Sequence, residues 1–166
     1  MTPLSFAFFP MQVGKDTILR PMLPVILKFK HIELPTALLL DSGSDFSMLR
    51  NDVIEDYFQI NISDLKKGTI DTAGIGGEVE VAWIDLKVEF SQRNFTYEET
   101  IPFQVPIKYE KNPPLCLIGR NPFFYKYRVD FRMGYTDDPA LGKFIIYPET
   151  HKRDAKQFER PMKIKK

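Results

Sequence analysis

Four apolar residues run directly into a carboxylate, a hydroxyl and a glycine: Ala37-Leu38-Leu39-Leu40-Asp41-Ser42-Gly43, followed by Ser44-Asp45-Phe46. Desolvating a carboxylate is costly, so a chain that carries one to the end of a buried strand must supply donors for it. Gly43 permits a tight turn that brings backbone N–H groups back onto Asp41, and Ser42 can bond across the same turn. A carboxylate held this way on a rigid element suits general acid–base catalysis. Asp-Ser-Gly alone is a common turn tripeptide. The leucines before it, the second acid Asp45 and the apolar recovery after it set this one apart.

Two further stretches stand out. Pro114-Leu115-Cys116-Leu117-Ile118-Gly119-Arg120-Asn121-Pro122 is an apolar strand that ends at a glycine and passes an arginine into a short helix. Ala73-Gly74-Ile75-Gly76-Gly77-Glu78 is a glycine cluster at the tip between two strand-like arms. It lacks the Gly-Lys-Ser/Thr ending of a phosphate loop, which disfavours nucleotide binding. Asp71-Thr72-Ala73 is not a second catalytic triplet, since no glycine follows Thr72 and no apolar strand precedes it. A serine hydrolase needs a histidine base, and His31 and His151 fall in a turn and a tail. With Cys116 as the one cysteine, the chain has too few ligands for a Cys/His zinc site and none for an internal disulfide.

The three stretches, in this order, resemble the retropepsins, the single-domain aspartic proteases of retroviruses and their cellular and microbial relatives. Leu38–Asp45 is similar to the family's strand and Asp-Thr/Ser-Gly loop, Gly74–Gly77 to its flap tip, and Leu117–Asn121 to the run that opens its C-terminal helix. Arg20-Pro21-Met22-Leu23-Pro24-Val25-Ile26-Leu27-Lys28-Phe29 looks like the family's leading strand, and the resemblance covers Arg20 to Tyr147. It implies an all-β, closed barrel-like fold with one or two short helices and a glycine-rich flap hairpin. It implies an endopeptidase in which Asp41, Ser42 and Gly43 form the catalytic loop and Gly74, Ile75, Gly76 and Gly77 cover a peptide substrate. Asp45, Gly119, Arg120 and Asn121 then support the loop, with Asp45 and Arg120 near each other. One triplet supplies one carboxylate, so the implied enzyme is a homodimer with two Asp41 side chains at its axis, using no metal and no cofactor. The alternative is a catalytically silent dimerisation or peptide-binding module of the same fold.

The elements that must position these residues are mostly strands. Leu23–Lys30 alternates apolar and polar residues, and Lys30–Pro35 predicts a turn into Ala37–Leu40, a strand covered on both sides. Glu78–Phe90, Thr100–Val105, Arg128–Phe131 and Lys143–Tyr147 complete the strand set. Asn51 or Asp52 is placed to cap a helix over Val53–Phe58 with Val53, Ile54, Tyr57 and Phe58 on one face. A second short helix is predicted over Pro122–Tyr127. Residues 1–19 are expected to be an extension, a dimer or edge strand. Residues 20–147 are the protease-like domain, and 148–166 a basic tail with seven Lys/Arg against three Asp/Glu.

Composition narrows the partners. The 166 residues are 43% hydrophobic and 27% charged with a net charge of +1, as in an ordinary single globular domain. Near-neutral charge gives no nucleic-acid footprint, and the tail reads as a solvated face. No apolar stretch reaches the length of a membrane helix, and the N-terminus lacks the basic region of a signal peptide. The expected setting is cytoplasmic, and the expected partners are a peptide or protein substrate and a second copy of the chain.

Overall fold

The computed structural model describes residues 2–71, 78–108, 116–132 and 142–148. Their strands are β1 (Leu4–Ala7), β2 (Phe9–Val13), β3 (Asp16–Arg20), β4 (Met22–Phe29), β5 (Ile32–Leu40) and β6 (Ser47–Met48), then β7 (Lys66–Asp71), β8 (Glu78–Gln92), β9 (Phe95–Pro106), β10 (Leu117–Ile118), β11 (Tyr127–Arg132) and β12 (Lys143–Pro148). Among the described residues, helical structure is limited to a π-type turn at Val53–Tyr57, a 3-10 turn at Ile62–Asp64 and one α-helical turn, α1 (Phe123–Lys126). The fold is all-β.

Alternating apolar residues explain the barrel. One sheet runs in the order β4-β5-β10-β6-β9-β8, and β8 returns to pair with β4. The fifteen residues of β8 make this closure possible. Its outer edge holds β7 along Glu78–Trp83 and β4 along Lys87–Glu89. The inward positions Val88, Leu86, Ile84, Phe103, Ile101, Leu27, Leu38, Leu40 and Ile118 are all at most 5% exposed and pack into one core. A second sheet, β1-β12-β11, seals one side of that core with Leu4, Phe144 and Ile146, each fully buried. Leu4 thus ties residues before position 20 to the core. The β2–β3 hairpin is apolar yet leaves Phe9 and Val13 exposed.

Three expectations change. The Lys30–Pro35 turn shortens to Lys30-His31, where Lys30 takes a φ of 51°, and β5 already begins at Ile32. Pro35 sits within that strand opposite Ile26. It is tolerated because β10 reaches β5 only at Leu39 and Leu40, so the missing N–H falls on an edge. The helix over Val53–Phe58 is a wider π-type turn, capped by Asp52 as anticipated. Ile54 and Phe58, four residues apart, are buried, while Tyr57 points outward at 59% exposure. The strand expected over Thr100–Val105 lengthens to the whole of β9, because β8 pairs with it from end to end. The arms β7 and β8 pair as far as Asp71 and Glu78, and the Gly74–Gly77 tip lies outside the described residues, as does the tail from position 149. Among the described residues no helix is long and apolar enough to cross a membrane.

Candidate active site

Backbone ladders grip β5 on both sides as it approaches the site. Leu39 N–H donates to Cys116 O (3.1 Å), Leu40 N–H to Pro21 O (3.0 Å) and Asp41 N–H to Ile118 O (3.0 Å). Leu38, Leu39 and Leu40 are all buried, which is why this run shows no polar alternation. Past Asp41 the chain turns sharply: Ser44 N–H donates to Asp41 O at 3.3 Å, and Gly43 N–H to Asp41 Oδ1 at 2.9 Å. A β-carbon on Gly43 would stand 3.1 Å from that carboxylate oxygen, so glycine permits the close approach. Asp41 itself is half-buried; Ser42 and Gly43 are exposed.

The Gly119-Arg120-Asn121 run, some 75 positions further on, zips onto the same loop. Arg120 N–H donates to Ser44 O (2.8 Å), Asn121 N–H to Asp45 O (3.0 Å), and Asn121 pairs in parallel with Phe46. Gly119 N–H donates to Ser47 Oγ at 3.1 Å, in a fully buried bond. The Arg120 guanidinium also forms an ion pair with Asp45, with side chains 47% and 65% exposed. Asp41, Ser42, Gly43, Asp45, Gly119, Arg120 and Asn121 are therefore brought together.

Ser47, Trp83 and Gln104 escaped the sequence analysis. Ser47 sits opposite Phe103 on the inward side and is fully buried; its one signal was a small hydroxyl residue between Phe46 and Met48. Trp83, Gln104, Met48, Leu117 and Leu39 are consecutive register partners across β8, β9, β6, β10 and β5. Register partners share a face, and this face is opposite to that of Leu40, Ile118, Phe103 and Ile84. Asp41 follows Leu39 by two and still bonds Ile118, so it continues the same outward face. Phe46 meets Trp83 edge-on, with ring centroids 5.6 Å apart. The outcome is an apolar strip on the barrel's outside with a carboxylate at one end.

Other chemistries find less support. Burial pushes the Cys116 thiol up, opposite to an activated nucleophile. Among the described residues no three His, Cys, Asp or Glu side chains gather as metal ligands.

No family model matches the sequence, and no curated protein matches it in sequence. Solved structures do resemble it. A retropepsin-like aspartic protease from Rickettsia conorii is 11% identical, with 87% of this chain and 91% of that chain aligned at a TM-score of 0.48. EIAV protease, solved with the inhibitor HBY-793, is 20% identical over 67% of this chain and 89% of that chain, at a TM-score of 0.43.

Proposed function

We propose that this chain is an aspartic endopeptidase that works as a homodimer, with one Asp41 from each copy at a shared two-fold axis. The supporting observation is the placement of Asp41. It stands at the end of a strand bonded on both sides, with Gly43 N–H on its carboxylate, on the same face as the apolar strip from Leu39 to Trp83. An extended peptide laid along that strip would bring a backbone carbonyl to the carboxylate.

One chain carries one such carboxylate, and the chemistry needs two. Side by side, the pair holds a single proton, because like charges that close cannot both ionise cheaply. The ionised Asp41 takes a proton from water as the water oxygen bonds to the scissile carbonyl carbon, and the protonated partner gives its proton to the carbonyl oxygen. Collapse of the tetrahedral species breaks the C–N bond, with a proton delivered to the leaving nitrogen. No covalent enzyme intermediate forms. The Gly74–Gly77 tip would close over the bound peptide.

The test is cleavage of a peptide library between pH 3 and 7 by the purified protein and by its Asp41→Asn variant. Asn keeps the shape and removes the base, so cleavage is expected to fall by at least ~10³-fold. Equal cleavage by both proteins would sink the mechanism.

A further inference from the structure

Gln104 is the one polar member of the outward strip, and its amide is left unmatched. Its side chain is 2% exposed, and its Nε2 is buried without a hydrogen-bond partner. Buried side-chain amides are normally satisfied, and an orphan donor is costly enough to call for a reason. A core explanation fails on position. Gln104 shares its face with Trp83, Met48, Leu117 and Leu39, none of which belongs to the barrel's core cluster. Its strand neighbours Phe103 and Val105 do belong to it, and are fully buried.

We infer that the Gln104 amide selects substrates, donating to a side-chain acceptor of the bound peptide: the carbonyl of Asn or Gln, or the carboxylate of Asp or Glu. This rests on the protease reading above, and it names the substrate class of that same site. Gln104 lies three strands from β5, roughly 14 Å at about 4.8 Å per strand spacing. Extended peptide advances about 3.3 Å per residue, so the selected side chain sits about four residues from the scissile bond. Its stem rests between Met48 and Trp83, and its acceptor replaces the partner that Nε2 lacks. An aliphatic side chain at that position leaves the donor as unpaired as it is in the free chain, whereas an acceptor gains the hydrogen bond, and that gain is the preference.

Binding is measured in the Asp41→Asn background, which holds peptides without cutting them. The probes are fluorescein-labelled octapeptides varied one position at a time among Leu, Gln, Glu and Lys. One position is expected to favour Gln or Glu over Leu by about tenfold or more. Adding Gln104→Leu should reverse that preference toward Leu while other positions keep theirs. Its melting point should hold or rise, since an orphan donor has gone; should Leu fail to fold, Gln104→Met serves the same purpose. Identical preferences with and without Gln104, or no position that favours an acceptor, would overturn the assignment. Cleavage by the Asp41 protein separates the two ideas. Selection by Gln104 without cleavage removes the protease and keeps the peptide site. Cleavage indifferent to Gln104 keeps the protease and removes this assignment.

Discussion

Gly119 is pressed so closely against Phe46 that a β-carbon on it would lie 2.3 Å from the Phe46 carbonyl oxygen and 2.9 Å from its nitrogen. The neighbour is backbone, so no side chain can swing aside to make room. The contact joins the Arg120 run to the loop carrying Asp41, and the Ser47 hydroxyl takes the Gly119 N–H on the same side. Gly119→Ala is therefore expected to part the two segments and destabilise the fold by at least about 2 kcal/mol, as overpacking against an unyielding neighbour does. Urea unfolding checks it: an unchanged midpoint would mean that the loop and the run are not packed together in solution.

Arg120 has two separable roles. Its backbone N–H holds Ser44 O at 2.8 Å whatever the side chain. The guanidinium pairs with Asp45 in the open, where screening and side-chain entropy leave little net gain. Arg120→Lys keeps the first and weakens the second, so it should cost under about 1 kcal/mol in thermal unfolding. A loss well above that would show the pair to be covered, as it would be if a second copy packs over it.

How much of this was legible beforehand follows from the range of each interaction. The Ala37–Leu40 strand and its carboxylate could be read because their pattern is local: an apolar run with no polar alternation, then a turn glycine. The Gly119–Asn121 run was legible as a motif, but its contact with Phe46 was not, since that depends on two segments some 75 positions apart. Pro35 misled, because a proline marks a turn unless the strand has a free edge, and edges belong to the assembled sheet. Gln104 gave no signal at all. Among Phe103, Val105 and Pro106 it looks like an ordinary outward polar residue, and only the register places it between Met48 and Trp83 on the face that Asp41 shares.

Asp52 sets an acid-side dependence. The hydrogen-bonded Arg50 guanidinium holds its carboxyl below the usual range, and Val53 N–H, donating at 2.9 Å, adds to this. A depressed carboxylate stabilises the fold fully above the unfolded value, about 4, and the gain is lost as pH falls through the lower folded value. Asp52→Asn can still cap the π-type turn but cannot titrate. Its stability between pH 2 and 6 should fall less steeply than that of the wild type, whereas Asp52→Ala also loses the cap, about 1 kcal/mol. Urea midpoints across that range decide it. An Asn variant with the same acid slope would move the dependence to other carboxylates.

The number of catalytic-type carboxylates per chain bears on the active species. The described part of the chain presents one Asp-Ser-Gly loop, Asp41 to Gly43, on the outward face of a single barrel. If catalysis needs two such carboxylates, neither copy is active alone, and the active species is a symmetric pair. Specific activity should then rise with protein concentration and level off once association is complete. Subunit mixing tests the shared site directly. After exchange with an equal amount of Asp41→Asn, activity per wild-type chain should drop to about half, and with threefold excess to about a quarter, because partners are drawn at random and mixed pairs lack one carboxylate. The Asn variant must be folded and must exchange, which a size measurement on the mixture establishes. Activity that scales with wild-type chains alone, at every dilution and every mixing ratio, would mean that a single Asp41 suffices, and the two-carboxylate mechanism would have to be abandoned.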